Sequence, residues 1–439
     1  MSERMPPTAT LGESFRLVEH PLRRQLADEV HARPYEALRP PVRASHLAVA
    51  TGESAYGADR AHVEALCRRC GIDPPASGAI FFSADFGDFR LRWERHTEFS
   101  TYTFYRRGPF DTPFSGNASD LAPPDWLAAL PGKVLVAVHA ALDAVRRSAE
   151  EMATIFTGHP VIGIRAASGA AEAFTDFHIH GDGFGRILVY DQGLTANQAG
   201  RLLQRLLEIE TYRIMALRAF PLVRELGPHL TRMDREMADI VAAMAGPAGD
   251  AEDRALLGRL TDLAAQAEHR AAEHSYRFSA AKAYYALVLK RIEDLREERI
   301  TGMQTIGEFM DRRLGPAMKT VESTVERHAA LLRRVSRAGA LLRTRVDIAL
   351  GEKNGDLLKS MNRRAELQLR LQETVEGLSV VAISYYLLGL IGYVAKGLKA
   401  AGLHVDSDLA ALLGLPVVLG MVVLGVRRLR RAIGHKGAD

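Results

Sequence analysis

Two apolar stretches decide the organisation of this chain, LSVVAISYYLLGLIGYVA at residues 378–395 and LAALLGLPVVLGMVVLGV at residues 409–426. Neither stretch contains a charged residue, and each has about the minimum length of a helix that crosses a bilayer. One such stretch is also compatible with a buried helix of a soluble protein. Two of them, flanked by charged residues and separated by a short hydrophilic loop, predict a transmembrane hairpin over residues 378–426.

The positive charges around the hairpin predict its orientation, because Lys and Arg resist crossing the membrane during insertion. The loop between the two stretches carries Lys396 and Lys399 only, whereas more basic residues lie outside the hairpin. Both termini are therefore predicted to be cytoplasmic. The residues that follow the second stretch are expected to face the anionic headgroups of the lipid bilayer. The outer basic residues are Lys359, Arg363, Arg364, Arg370, Arg427, Arg428, Arg430, Arg431 and Lys436.

Composition limits what the rest of the chain does. With 439 residues, the chain has room for two or three domains with their own cores. Its formal net charge is +4, which the basic cluster beside the membrane accounts for. No separate basic patch with interleaved aromatic residues is present, so a nucleic-acid partner is not expected. The N-terminus lacks an apolar signal segment, so nothing suggests secretion of the large N-terminal part.

Hydrophobic periodicity divides the chain into five regions and predicts an α+β fold. Up to Gly193 the apolar residues alternate as in strands, with few helices between them, and from Thr195 onward they recur at helical spacing. No glycine-rich phosphate-binding motif opens a helix, which argues against dinucleotide or P-loop chemistry. The regions are a Pro- and Arg-rich segment (1–43), an α/β domain with a largely antiparallel sheet (44–193), a long helical bundle or stalk (194–377), the transmembrane hairpin (378–426) and a basic cytoplasmic tail (427–439).

The helical region is predicted to contain several very long helices. Thr195 is the expected N-cap of the first, and Pro221 is expected to kink it. Further helices are predicted over 255–299 and 301–350, with a turn at 351–355 before the helix that enters the membrane. A short helix is also predicted near the N-terminus, over residues 21–31.

Two polar trios in the α/β domain have residue types that ligate divalent metals. Alternation along a strand places Glu94, His96 and Glu98 on one face, and it places His178 and His180 on one face, which Asp182 joins if the strand continues. A solvated face of an antiparallel sheet shows the same alternation without binding anything. A shared metal site requires the two strands to be neighbours.

The two cysteines, Cys67 and Cys70, form a C-x-x-C pair late in a predicted helix over 59–70. A zinc site commonly needs four ligands, and the chain has no second pair. A redox pair of the thioredoxin type would lie at a helix start. Two reduced structural thiols are therefore the favoured interpretation.

The first membrane stretch contains small and polar residues that favour contact between helices. Small residues allow helix backbones to approach, and hydroxyl groups inside a bilayer seek protein or water. A symmetric homo-oligomer would provide such contacts, although two helices of one subunit would as well. If the protein is a channel, these residues are the predicted pore lining. They are Ser384, Tyr385, Tyr386, Gly389, Gly392 and Tyr393.

The order of these regions resembles the CorA family of magnesium channels, in which long helices continue into two C-terminal spans with cytoplasmic termini. That resemblance implies a pentamer whose first span lines a pore. The chain departs from the family at the pore entrance, where it reads LIGYVAKGLK (390–399) in place of a Gly-Met-Asn motif. Two lysines at a cation entrance oppose the passage of a divalent ion.

A more extensive resemblance is carried by HPLRRQLADEVHARP (20–34), SHLAVA (45–50), WERHTEFSTYTF (93–104) and DFHIHGDGFGRILVYD (176–191). These stretches are similar to a family of bacterial membrane-anchored proteins known as domain of unknown function 3422. The resemblance implies a multi-pass protein of the bacterial inner membrane and implies no reaction.

Three hypotheses follow from the sequence. The favoured one is an oligomeric membrane-anchored scaffold or sensor that is not an enzyme. The alternatives are an ion channel or transporter, and an enzyme or sensor that uses a divalent metal on the α/β domain.

Overall fold

The computed structural model describes residues 20–24, 26–27, 34–51, 57–246, 249–402 and 407–434. These residues form two compact units. We call the first, drawn from residues 1–242 and 259–337, the sheet unit, and the second, drawn from 243–258 and 338–439, the C-terminal unit. The described residues form an α+β fold, with one mixed sheet of nine strands and one very long helix.

The sheet has the strand order β2-β3-β4-β1-β5-β8-β7-β6-β9. Among these neighbours only β5 and β8 run parallel, and the other pairs are antiparallel, so the sheet is mixed and largely antiparallel, as predicted. The strands are β1 (Val42–Ala50), β2 (Phe81–Asp85), β3 (Arg90–Arg95), β4 (Phe99–Arg107), β5 (Lys133–Asp143), β6 (Ile162–Ala166), β7 (Ala171–Thr175), β8 (Gly185–Asp191) and β9 (Glu298–Arg299).

The helices of the described residues fall into a short and a long class. Those before residue 160 are short, and most of those after residue 195 are long. They are α1 (Ala58–Cys70), α2 (Pro124–Ala128), α3 (Ala149–Ile155), α4 (Ala196–Leu217), α5 (Ala219–Met244), α6 (Asp250–Leu295), α7 (Ile306–Arg313), α8 (Gly315–Ala400) and α9 (Ser407–Gly434).

Strand β1 lies inside the sheet with both faces covered, and eight of its nine residues are buried. Because side chains alternate along a strand, Leu47 and Val49 point to one face, where they pack in a core with Leu66 of α1 and Trp126 of α2. His46 points to the other face and hydrogen-bonds to Thr211 of α4. The sheet unit therefore has helices on both sides of this part of the sheet.

The start of α4 confirms the predicted N-cap. The Thr195 hydroxyl accepts a hydrogen bond from the Gln198 backbone N–H at 3.3 Å, and the Gln198 side chain accepts from the Thr195 N–H at 2.9 Å. Thr195→Ala removes half of this reciprocal cap, so we expect the free energy of unfolding to fall by about 1 kcal/mol. Denaturant titration of the full chain measures this change. Gln266→Ala, an exposed mid-helix substitution on α6, serves as the control and is expected to change stability by less than about 0.5 kcal/mol.

Three predicted features of the helices have different outcomes in the structure. The predicted turn at 351–355 is wrong, because α8 continues through it as one helix of 86 residues. Gly351 and Gly355 each cost a helix only about 1 kcal/mol, which the rest of a long helix offsets. The kink predicted from Pro221 is present one turn before it, at Arg218, because a proline ring clashes with the carbonyl four residues earlier; Pro221 itself lies in the first turn of α5, where it needs no N–H partner. The predicted helix over 21–31 lies partly outside the described residues.

The helical stretch from Ile306 to Leu398 contains a window able to cross a membrane by length and composition. Its most apolar 18-residue window has a mean hydropathy of 1.9, and 11% of that window is buried. Among the described residues, this is the one helix that meets the criterion. In α9, apolar side chains such as Leu412, Val417 and Met421 are exposed, as in a helix that lacks a polar surface.

Candidate metal centre

Two loops of the sheet unit bring together three metal-ligating side chains, His159, Asp176 and His180. His159 lies between α3 and β6, and the other two lie in the loop from β7 to β8. One ligand atom of each residue lies within 4.8 Å of the others. Because β6, β7 and β8 are sheet neighbours, their ends place the two loops side by side.

The Asp176 carboxylate is the centre of this trio. Its side chain is fully buried, and its Oδ2 lies 2.8 Å from His159 Nδ1 and 3.0 Å from His180 Nε2. Its Oδ1 accepts a hydrogen bond of 3.2 Å from the His178 backbone N–H. A buried carboxylate needs partners of this kind because an uncompensated charge is costly away from water.

His180 is the least satisfied member of the trio. Its side chain is 1% exposed, and its Nε2, although close to Asp176, has no hydrogen-bond partner among the described residues. Its Nδ1 lies 3.3 Å from the Thr157 hydroxyl. If the proton is on Nδ1, the Nε2 lone pair faces a carboxylate oxygen. If it is on Nε2, the N–H is poorly aligned for a bond to that oxygen.

The charge state of His180 adds to this argument. Burial lowers its pKa, and the nearby Asp176 carboxylate, which opposes the shift, does not outweigh burial. The imidazole is therefore neutral near pH 7, which is the form that binds metals. A cation between the His180 nitrogen and the Asp176 oxygen would satisfy both atoms.

The loop that carries Asp176 and His180 has a fixed conformation. Phe177 adopts a left-handed backbone (φ 55°), and its ring stacks on Phe309 with centroids 4.8 Å apart. The His180 N–H donates to the Phe184 carbonyl at 2.9 Å. These contacts orient the ligands without using their side-chain nitrogen atoms.

The predicted trio of His178, His180 and Asp182 is divided by this conformation. β7 ends at Thr175, so the expected strand alternation does not extend through these residues. His178 Nδ1 lies 2.8 Å from the Asp176 carbonyl, its side chain is 55% exposed, and its ring centroid lies 4.2 Å from that of His159. Asp182 accepts from the Phe184 N–H at 3.0 Å and faces Arg186. Metal binding by His178 and Asp182 stays a prediction.

The other predicted trio is also divided. β3 ends at Arg95, so His96 and Glu98 lie in the turn to β4. Glu94 and His96 line a cavity of about 30 Å³ between the sheet and α4, whereas Glu98 pairs with Arg277 of α6. The strand order places four strands between β3 and β7, so the two trios do not meet in one site.

Neither Cys67 nor Cys70 is part of a disulfide. Cys67 is buried in the core beneath β1, and burial raises its pKa to about 11, so its thiolate is scarce near pH 7. Cys70 is exposed at the end of α1. This arrangement agrees with two reduced structural thiols.

The predicted pore-lining residues lie in the helical stretch that is able to cross a membrane. Tyr385, Tyr386 and Tyr393 are 72–76% exposed, and Ser384 is buried with no hydrogen-bond partner for its hydroxyl among the described residues. A Cβ atom at Gly389 or Gly392 would meet nothing within 4 Å. A pore through these residues stays a prediction. Of the basic cluster, Arg427 and Arg428 are exposed at the end of α9.

Sequence reasoning missed two of the three central residues, His159 and Asp176. Asp176 precedes a His-x-His pair by two residues, and that spacing is a signal for a ligand. His159 follows the left-handed Thr157 and a glycine, and no local pattern connects it to a loop 17 residues later. Its position depends on the pairing of β6 with β7, which is a tertiary feature.

Comparison with known proteins assigns a family. The family model described as "Protein of unknown function (DUF3422)" matches residues 18–433, so the chain belongs to that family. No curated protein and no solved structure matches significantly.

Proposed function

We propose that this DUF3422 protein is a membrane-anchored sensor or scaffold that binds a divalent transition metal, with Zn²⁺ the best fit, through His159, Asp176 and His180. One observation carries the proposal. The buried, neutral His180 nitrogen and the buried Asp176 carboxylate lie 3.0 Å apart in a geometry that is poorly aligned for a hydrogen bond. A metal ion is the partner that uses both.

The donor set favours zinc over the hard cations. Two imidazole nitrogens and one carboxylate oxygen suit Zn²⁺, Fe²⁺ or Co²⁺, whereas Mg²⁺ and Ca²⁺ prefer oxygen ligands. In a tetrahedral zinc site the ligand atoms lie about 3.3 Å apart, so the two measured separations of 2.8 and 3.0 Å need to open by only about half an ångström. His178, whose Nδ1 lies 4.0 Å from Asp176 Oδ2, is a further side chain able to complete the coordination.

A sensing or structural role is favoured over catalysis by the surroundings of the trio. The described cavities near Arg205, His46 and Gln304 are lined by other residues. A bound ion would join the α3–β6 loop to the β7–β8 loop, so metal availability would control the conformation of this edge of the sheet unit. The same three-ligand set is used by enzymes, and a metal-dependent reaction is the alternative.

The membrane part of the proposal is a hairpin of two spans in the bacterial inner membrane with both termini cytoplasmic. The apolar surface of α9 supports a second span, and the contact of Gly414 with Ile391 of α8, 3.3 Å from a Cβ built at the glycine, supports packing of the two helices. Arg427 and Arg428 support a cytoplasmic end for α9.

A homo-oligomer is proposed on the exposed tyrosines of α8, whose hydroxyls would find partners in other copies of the span. A CorA-like pentamer that conducts ions is the remaining alternative. No observation favours it over an anchored sensor, and Lys396 and Lys399 oppose cation entry.

The proposal is tested by metal titration of the full chain in detergent after treatment with a chelator. We expect about one Zn²⁺ per chain, measured in competition with a chromophoric chelator. His180→Ala and Asp176→Ala are expected to weaken binding at least about 100-fold. Thr157→Ala, which removes the hydrogen-bond partner of His180, is expected to weaken it by about 10- to 100-fold.

His269→Ala is the matched control, since this histidine is exposed on α6 and far in sequence from the trio. It should bind zinc as the unmodified chain does. Hydrogen exchange supplies a second readout, because zinc should slow exchange in residues 157–161 and 176–184. Binding that is unchanged in His180→Ala and Asp176→Ala, or no binding by the unmodified chain, would remove the proposal.

A further inference from the structure

Apart from the metal trio, the sheet unit contains a cavity of about 570 Å³, which is large enough for a small ligand. One wall is the face of α4 that carries Gln198, Arg201 and Arg205, which are three and four residues apart and so lie in one row. The opposite wall is the end of α6, and the β6–β7 turn at residues 167–168 closes a third side. A volume of this size suits a small metabolite.

Positive charge exceeds negative charge in this cavity. Four basic and two acidic side chains line it, and Lys290 is occupied by both acidic ones, at 2.9 Å from Glu293 and 3.1 Å from Asp294. The Lys290 and Glu293 side chains are more than half exposed and lie toward solvent. The arginines are therefore the cations left for a ligand.

The three arginines of the cavity differ in their contacts with the rest of the protein. Arg201 Nη1 donates to the Tyr35 hydroxyl at 3.0 Å, and its guanidinium lies 5.0 Å from the centroid of that ring. Arg205 Nη1 donates to the Asp294 carbonyl at 3.1 Å. Arg296 is exposed, and its guanidinium makes no hydrogen bond or ion pair with the described residues. Arg201 is thus positioned in advance, and Arg296 retains its full donor capacity.

Left-handed backbone conformations in non-glycine residues cluster around this cavity and the metal trio. The described residues contain five of them, and each costs about 1–3 kcal/mol. Thr157 and Phe177 belong to the loops of the trio, whereas Ala167, Ser168 and Arg296 line the cavity. Costly backbone conformations are retained where the surrounding structure requires them, which is characteristic of binding sites.

From this cavity we infer a binding site for a small soluble molecule that carries a phosphate group. Arg201 and Arg296 bind the phosphate, and Arg205 secures the end of α6 that forms the opposite wall. The guanidinium fork matches phosphate oxygens with paired hydrogen bonds. A phosphate offers three strong acceptor oxygens to the arginines, whereas a carboxylate offers two. The site is independent of the metal trio.

The lining also limits the rest of the ligand. Its apolar members are Ala167, Leu202 and Leu295, and no aromatic side chain is among the lining residues on which a base would stack. The remainder of the ligand is therefore polar, as in a sugar phosphate, rather than a nucleobase. A lipid headgroup shares the phosphate chemistry but brings acyl chains, for which this lining has little apolar surface.

The test is isothermal titration of the full chain in detergent with inorganic pyrophosphate and with glucose 6-phosphate. We expect saturable binding of at least one of them. Arg201→Gln and Arg296→Gln are each expected to weaken it about tenfold or more, and Arg201→Lys is expected to lie between the two because it keeps the charge but loses the fork. Arg259→Gln, which removes an exposed charge elsewhere on α6, should bind as the unmodified chain does.

Two results would overturn the inference. One is no binding of either probe at millimolar concentration. The other is equal weakening by Arg259→Gln and the cavity variants, which would indicate attraction by net charge only. Vesicles containing phosphatidic acid form a third arm, and association with them through Arg201 and Arg296, without binding of the soluble probes, would replace a soluble ligand with a lipid headgroup.

Discussion

Replacement of Asp59 by alanine is expected to lower the free energy of unfolding of the sheet unit by about 3–5 kcal/mol. The Asp59 side chain is 1% exposed and accepts hydrogen bonds from Arg95 Nε at 2.8 Å and from the Ser100 hydroxyl at 2.6 Å. Alanine leaves the Arg95 guanidinium, which is only 11% exposed, without the Asp59 carboxylate. Trp93 and Trp126, the two tryptophans of the chain, are buried in this unit, so their fluorescence reports its unfolding in denaturant.

The pKa of Asp59 shows that the effect of its hydrogen-bond partners exceeds the effect of its burial. Burial alone raises the pKa of a carboxyl group, yet the hydrogen bonds from Arg95 and Ser100 hold the pKa of Asp59 below its usual value. The charged form is therefore the one that the fold stabilises. Asp59 also lies in the first turn of α1, where negative charge is favourable.

A matched control exists in the exposed pair of Arg69 and Asp125. Their atoms are 2.8 and 3.0 Å apart, in a geometry similar to that of the buried pair, but the side chains are 54% and 73% exposed. Asp125→Ala is expected to leave the free energy of unfolding nearly unchanged, because an exposed ion pair contributes little. The double variant Asp59→Leu with Arg95→Met should recover much of the loss, because it removes both charges. Similar small losses in Asp59→Ala and Asp125→Ala would contradict this account.

The sequence predicts the strands and helices better than their ends. The short apolar runs LAVA, VLVAV and ILVY identify β1, β5 and β8, and alternation of polar and apolar residues predicts which face of a strand each side chain takes. It fails at His96 and at His178, where polar residues continue the alternation after the hydrogen-bonded strand has ended. The two-residue strand β9 was not predicted, since a strand of this length exists only through its pairing with β6.

The long helices are a second case in which a residue's local preference does not predict the structure. Gly351 and Gly355 predict a turn, yet α8 continues through them, since propensity is a weak effect beside the length of the helix. Pro228 likewise lies inside α5. Glycine and proline therefore indicate where a helix is weakened, and the neighbouring sequence decides whether it ends.

The candidate metal site shows why function was less predictable than fold. His180 was recognised because it lies on an apparent strand face, but its partners Asp176 and His159 depend on the left-handed conformation of Phe177 and on the pairing of β6 with β7. Both features arise from tertiary structure. Glu94 and His96 do not take part in this site. They line a cavity between the sheet and α4, and no metal-ligating group was expected on α4 from the sequence.

Acidification is expected to destabilise the sheet unit steeply, by about 1.4 kcal/mol per pH unit for each of two buried histidines. His46 is 5% exposed and hydrogen-bonds to the hydroxyls of Thr103 at 2.8 Å and Thr211 at 3.1 Å. His139 is 3% exposed and hydrogen-bonds to the Ser45 hydroxyl at 2.9 Å. Burial lowers the pKa of His46 to about 3 and that of His139 to about 4.

The direction of this pH dependence follows from the number of protons that the folded and unfolded states bind. In the unfolded chain each histidine binds a proton near pH 6.5, whereas in the folded chain neither does until the pH approaches its lowered pKa. Between these limits the unfolded state holds more protons, so the free energy of unfolding falls as the pH falls. The loss ends near pH 4 for His139 and near pH 3 for His46. Above pH 6.5 the slope from these two groups fades, and it is negligible from about pH 8.

Substituting each histidine distinguishes its contribution to the pH dependence from that of the other titrating groups. Tryptophan-detected unfolding between pH 5 and 6 lies above the range in which most carboxyl groups titrate. His62 and His180 also have lowered pKa values and add to the total slope, so the comparison between variants is decisive. His46→Gln and His139→Gln should each reduce the slope by about 1.4 kcal/mol per pH unit, even if they lower stability at pH 7. His269→Gln, at an exposed site, should leave it unchanged. A slope that His46→Gln and His139→Gln leave intact would show that these imidazoles accept protons in the folded state.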